Sequence, residues 1–442
     1  MIQITKNKIY QSIFFLIVAL YVFSNGGNSN LFIQINFIIF SVFFLICLKD
    51  KNYYSHFKYF FIKNKTSIFL YLLFLLYLVF QIIPIPLDLL KFFSYSKFEI
   101  ANKLKIQSQY SSISLSSTDT YFQIINYLTL MIALFVFKII FYKEKHFLRL
   151  HYFISFVGLL ASVIAILFYL NGNPDFLFFK NSQYKGASTG FFINRTVFSI
   201  FLIFCVLSCL LLLKTLPLYN NDNFIKLIYI RLFLVFITVG IVTTFSRIGN
   251  FLLLITIVSF LVYEIFYSKN KNYFFRLIII ILILFDLIIL GIYFGTDKII
   301  DRFLFLKEEF TIFDNIDVSI HRLELIKFSL LELKNYILFG YGAGSYHIFF
   351  QTNFDNPFNL YANHAHSDII EFFGEFGLIG FILIISSFLS FFLKKRVFNL
   401  NYFVLYILSL TILTFDFSLH VPLIQLLFII YFVSAKKITQ LS

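Results

Sequence analysis

Asn363-His364-Ala365-His366-Ser367-Asp368 leads through Glu371-Phe372-Phe373-Gly374-Glu375-Phe376 into Gly377-Leu378-Ile379-Gly380, the start of an apolar run that ends near residue 393. A bilayer core needs about 20 apolar residues to be crossed as a helix, and this run is long enough. Two histidines and three carboxylates, Asp368, Glu371 and Glu375, stand where it begins. Ionisable groups at a membrane boundary are costly to desolvate, so they mark a functional site by default. Gly377 and Gly380 lie three apart. They are expected to share one face of a helix and to let a second helix pack closely there.

Runs of the same kind recur along all 442 residues, of which 60% are hydrophobic and 13% charged. A soluble domain carries about 25% charged residues. Twelve spans are read, at about 9–24, 31–48, 67–83, 121–142, 150–170, 195–213, 227–245, 248–267, 275–295, 367–393, 399–416 and 419–435. The runs are continuous rather than alternating, which argues against a β-barrel. The expectation is an all-α polytopic membrane protein with about 12 transmembrane helices. Lys6 and Lys8 before the first run resemble a signal peptide, but Ser24-Asn25-Gly26-Gly27-Asn28 has no small-x-small cleavage pattern, so an uncleaved first span is expected.

The net charge of +14 does not point to nucleic acid, because most basic residues fall in short loops between runs. Lys49, Lys51, Lys58, Lys63 and Lys65 share one such loop, Lys143, Lys145 and Arg149 another, and Lys394, Lys395 and Arg396 a third. This is the positive-inside pattern, with both termini in the cytoplasm. Cys47, Cys205 and Cys209 fall inside apolar runs and read as packing residues rather than a disulfide or metal site.

The opposite side carries three longer segments, roughly 84–120, 171–194 and 296–366. The chain therefore divides into nine spans over 1–295, a large periplasmic loop over 296–366 and three spans over 367–442. The loop is too long for a passive connection. Within it, residues 319–338 show helical apolar spacing through Ile320, Leu323, Ile326, Leu330 and Leu331, as in a helix lying on the membrane surface. Gly340-Tyr341-Gly342-Ala343-Gly344 then reads as a turn.

Polar groups able to do chemistry gather on that side. Arg247 stands between two apolar runs with almost no loop, and Arg322 lies on the loop helix. Each is open to two readings: a snorkelling interfacial arginine, or a guanidinium fork that grips phosphate oxygens. Asn194 reads as a helix cap and Arg195 as an interfacial anchor that adds a third cation. His364-x-His366-x-Asp368 looks like a metal-ligand run of the metallo-β-lactamase type, but Ile369 stands where the final histidine would be. General-base chemistry fits better, with a histidine taking a proton from a hydroxyl and Asp368 or Glu371 orienting it.

Together these residues resemble the O-antigen ligase and polymerase superfamily of bacterial polysaccharide assembly. The family signature is a histidine, then Asn, Ser or Gln, nine residues, then Gly-x-x-Gly. His366-Ser367 followed by Gly377-Leu378-Ile379-Gly380 fits it in full. Gly190-Phe191-Phe192-Ile193-Asn194-Arg195, Ser246-Arg247, and Arg322 ahead of Phe339-Gly340-Tyr341-Gly342 follow the family order, as does Asp416-Phe417-Ser418-Leu419-His420-Val421-Pro422 near the end.

The resemblance implies a glycosyltransferase class C-like fold in the bacterial inner membrane. It implies a metal-independent, inverting enzyme without a cofactor. The donor would be a glycan on undecaprenyl pyrophosphate, the acceptor a hydroxyl of the lipid A core or of another glycan. Polymerase and protein O-oligosaccharyltransferase activities belong to the same superfamily. The family's catalytic histidine falls on His366 and its phosphate-binding arginines on Arg247 and Arg322. A flippase is the rival from another class. It would place charges deep within several spans, whereas here only Asp286 lies deep in a run.

Overall fold

Backbone polar groups find no water inside a bilayer, so apolar runs of this length close their hydrogen bonds within helices. The computed structural model describes residues 2–103, 109–174, 184–215, 221–266, 322–354, 361–392 and 400–438, with isolated positions between 277 and 288. The described helices are α1 Ile2–Phe23, α2 Asn30–Leu48, α3 Lys51–Lys63, α4 Lys65–Ile82, α5 Leu87–Phe93, α6 Tyr95–Lys103, α7 Ser117–Ile140, α8 Glu144–Leu170, α9 Arg195–Thr215, α10 Asn221–Val242, α11 Arg247–Phe266, α12 Arg322–Glu332, α13 Tyr346–Asn353, α14 Asp368–Phe392, α15 Leu400–Phe415 and α16 Pro422–Ile438. A two-residue antiparallel pair, Ile85–Pro86 with Tyr110–Ser111, is the sheet among the described residues.

The protein is an all-α polytopic membrane protein. Seven described helices are long and apolar enough to cross a membrane: α2, α4, α7, α8, α9, α10 and α14. Shorter apolar helices occupy Arg247–Val262, Tyr402–Phe415 and Pro422–Ala435. The run read at 275–295 lies outside the described residues but for a few positions, as does 296–321 of the large loop. Leu16, Leu45, Leu76, Leu254 and Leu410 point outward, the belt that a lipid solvent accepts.

Helix α9 is apolar on every side and is the centre of the fold, with Thr196 to Leu213 buried throughout. Helices α8, α10, α11 and α16 pack around it. Cys205 and Cys209 are buried free thiols within it. Asn194 caps its start, its Oδ1 accepting from the Thr196 amide at 2.7 Å.

Helix α14 packs along α4, but it is not continuous. At Gly377 the backbone turns to φ 61° and ψ −179°. The expectation that Gly377 and Gly380 share one face of a regular helix is therefore corrected. The segment Ile337 to Tyr341 crosses at the break, and its amides and carbonyls replace the missing helical bonds. Tyr341 N donates to Gly374 O at 2.9 Å, and Leu378 N donates to Ile337 O at 2.7 Å. From α4, the Tyr77 hydroxyl donates to Phe376 O at 2.9 Å and Gln81 Nε2 to Glu375 O at 2.9 Å. A break inside an apolar span survives because neighbours satisfy the groups it frees. Gly380 meets the Tyr77 ring.

The loop helix α12 begins at Arg322. Its inward residues are Leu325 and Ser329, which pack in a small second core with Tyr336, Tyr341, Tyr346, Phe349 and Phe350. Leu330 and Leu331 remain exposed. The face first read as one apolar stripe is thus split: the aromatic core takes the positions beside that stripe, because the tyrosines and α13 lie on that side.

Candidate functional site

The break at Gly377 sets the first two turns of α14 against three loops. Asp368, Glu371 and Glu375 recur at helical spacing on one face, and each is at most 1% exposed. Asp368 reaches the turn after α15. Its Oδ2 accepts from Leu419 N at 2.9 Å, and its Oδ1 takes the Nδ1 proton of His420 at 2.5 Å. Glu371 reaches the loop before its own helix, where His364 Nδ1 donates to Oε1 at 2.8 Å and the Ala365 amide to Oε2 at 2.8 Å. Glu375 reaches the glycine turn, accepting from Gly344 N at 2.7 Å.

His420 lies among all three. Its Nε2 is 3.4 Å from Glu371 Oε1 and 3.4 Å from Glu375 Oε2. The Phe372 ring stacks on it at 4.2 Å between centroids. Burial alone would push the His420 pKa down. The charges of Glu371, Glu375 and Asp368 outweigh that and hold it well above the usual imidazole range.

His366 stands apart from this cluster. Its backbone is left-handed, at φ 57°, a conformation few non-glycine residues adopt. Its Nδ1 is buried without a hydrogen-bond partner among the described residues. Phe417 separates the two histidines, stacked on His364 at 4.3 Å and meeting His366 edge-on at 5.2 Å. Burial drives the His366 pKa down to about 3, with the positive charges of Arg322 and His364 adding to it and Glu371 opposing. The imidazole is therefore neutral in the free protein.

Of the two carboxylates expected to orient a histidine, neither hydrogen-bonds His366, although the Glu371 charge acts on it. Asp368 binds His420, and Glu371 binds His364 and the Ala365 amide. The His366 ring is aimed by its backbone. Arg322 is exposed at the start of α12, and its charge acts on both His366 and Asp416. Arg247 is half-buried on the first turn of α11. The preceding Ser246 hydroxyl donates to Thr196 Oγ1 at 3.3 Å, which ties that turn to the start of α9. Helix α9 in turn packs against the Ser418–His420 turn. Arg195 lies over the Tyr184 ring at 5.1 Å, a cation–π contact on a neighbouring loop.

Residues 232–385 match a family model described as O-antigen ligase. The match is to the O-antigen ligase domain over that stretch alone. The match supports a ligase- or polymerase-type glycosyltransferase function in the O-antigen ligase superfamily. It spans Arg247, Arg322, His364, His366, Asp368, Glu371, Gly377 and Gly380, and leaves out Asn194, Arg195 and the turn bearing His420. No curated protein matches the chain.

The sequence assigns no role to Glu375 or His420 in the site. Glu375 was visible as the third carboxylate on the α14 face. His420 sat in the quoted Asp416-to-Pro422 segment, where an ionisable residue between two apolar runs was the available signal. The His364, Glu371 and His420 ligand atoms also lie within 4.8 Å of one another, close enough to hold a metal ion.

Proposed function

We propose that the protein is an O-antigen ligase-like enzyme that moves a glycan from undecaprenyl pyrophosphate to a hydroxyl of the lipid A core, at the periplasmic face of the bacterial inner membrane. The observation that carries this reading is the buried, unpartnered Nδ1 of His366 within reach of the Arg322 charge. A neutral imidazole beside a cation suits a reaction whose substrate brings both a hydroxyl and a phosphate.

In the proposed step the acceptor oxygen attacks the anomeric carbon of the donor sugar. The bond from that carbon to the phosphate oxygen breaks, and the configuration inverts. His366 takes the hydroxyl proton. The electron pair leaves with undecaprenyl pyrophosphate, whose growing charge Arg322 and Arg247 stabilise as fixed donors. The arriving pyrophosphate also brings negative charge to His366, which raises its pKa from the free value towards one useful for a general base. The two guanidinium groups supply the positive charge for departure, so the reaction is expected to proceed without a metal.

The test is transfer by the purified protein from a lipid-linked glycan, with and without EDTA. His366→Ala should abolish transfer, at a cost on the order of a hundredfold or more, while His364→Ala retains measurable activity. The reverse ranking would move the base to His364, and a reproducible metal requirement would remove the metal-free mechanism. Deleting the gene separates the acceptors. Loss of attached polymer with lipid-linked chains accumulating means a ligase, and single-repeat caps mean a polymerase.

A further inference from the structure

We propose that His420 is a positioning residue: a buried imidazolium that gathers three carboxylates of α14 and through them fixes the loop carrying His366. The proposal rests on the reading of His366 as the base.

Asp368, Glu371 and Glu375 stand on one helix face with no more than 1% exposure each. Three buried carboxylates repel one another and are costly to desolvate unless a cation is shared among them. His420 is placed to be that cation. Its Nδ1 bonds Asp368 at 2.5 Å, and its Nε2, which makes no hydrogen bond among the described residues, lies 3.4 Å from both Glu371 and Glu375.

Each carboxylate spends its remaining oxygen on a different backbone segment. Asp368 holds Leu419 N, Glu371 holds Ala365 N, and Glu375 uses its other oxygen for Gly344 N. His366 lies between one of these anchors and a backbone bond. Ala365 N is held by Glu371 on one side, and on the other Asp368 N donates to Asp416 O at 2.8 Å. The His366 ring has no bond from Nδ1 to aim it. Its direction depends on a left-handed backbone fastened on both sides, and the fastening at Ala365 runs through Glu371 to the charge at His420.

The geometry offers one competitor. Ligand atoms about 3.4 Å apart also suit the edges of a tetrahedral site with bonds near 2.0–2.1 Å. The competitor differs in content, since a metal-bound His420 would be neutral.

The experiment uses the full chain in detergent or nanodiscs. His420→Gln keeps a donor for Asp368 but removes the charge. Transfer kcat should fall on the order of fiftyfold, with the donor KM changed less than about threefold, because a misaimed base weakens the chemical step rather than binding. Amide exchange over 361–368 should quicken by about tenfold or more while α9 keeps its protection. Adding Glu375→Gln to His420→Gln removes the excess negative charge, and about a fivefold recovery of kcat and of loop protection is expected from that coupling.

If His420→Gln alone does not fold, recovery of folded protein in the double variant is the same test. Absence of rescue, unchanged exchange in the loop, or one equivalent of a bound divalent metal per chain would each overturn the proposal. Exchange is read without any substrate. A wild-type protein that transfers no glycan would therefore defeat the functional reading while still reporting whether His420 holds the loop.

Discussion

Gly377 and Gly340 meet backbone to backbone. A Cβ on Gly377 would lie 2.5 Å from the Gly340 nitrogen and 2.5 Å from the Leu338 oxygen, closer than any side-chain atom can be accommodated. Both glycines have positive φ, 61° and 70°. The contact turns the end of the loop segment into the strut that sets Glu375 and Glu371 at the mouth of α14.

Gly377→Ala should therefore be severe. It adds left-handed strain of about 1–3 kcal/mol and forces the strut away. Thermal unfolding in detergent should drop by several degrees, and glycan transfer should be lost with it. At Gly380 the nearest neighbouring atoms belong to the Tyr77 ring and the Phe376 side chain, so Gly380→Ala should be the milder change. An alanine at 377 that melts with the wild type would contradict the strut.

The basic short loops predict which side is which. Cysteine placed at Asn335, an exposed loop position, should react with an impermeant maleimide in intact spheroplasts, and cysteine at Lys51 should not. The three native cysteines are buried and add little background. Labelling at 51 but not at 335 would invert the topology.

Arg247 and Arg322 should not tolerate lysine. A single ammonium cannot reproduce a bidentate fork on phosphate oxygens. Loss of about 3 kcal/mol of transition-state stabilisation slows transfer on the order of a hundredfold. Near-normal turnover in either Arg247→Lys or Arg322→Lys would break the shared clamp.

The low pKa of His366, about 3 against an ordinary 6.5, makes a prediction whose sign can be worked out. Between those values the unfolded chain binds a proton at this position that the folded chain does not. Its contribution to stability is thus full above about 6.5 and is lost as pH falls towards 3. The free protein should keep His366 neutral at about pH 5, and kcat/KM, which reports the free enzyme, should show no acid limb from this residue near 6.5. Imidazole NMR of the substrate-free protein, assigned by His366→Ala, checks it directly. A His366 signal that titrates near 6.5 would refute the buried neutral base.

By itself the sequence determined the class of the protein. Continuous apolar runs separated by basic turns leave helices in a bilayer as the stable solution, because no other element satisfies its own backbone there. The sequence also determined the spacing from His366 to Gly377 and Gly380, and with it the family resemblance. It could not show that α14 breaks at Gly377. Hydrophobic periodicity records which side chains are apolar and is blind to a single backbone angle, which here is imposed by the segment ending at Gly340. Nor could it pair Asp368 with His420, 52 residues on. In sequence, Asp368 stands beside His366 and invites the role of its partner. In the fold, the turn after α15 brings His420 to the same carboxylate, and a buried negative charge takes the cation it can reach. Only the tertiary structure decided which histidine lies among the three carboxylates and which stands apart from them.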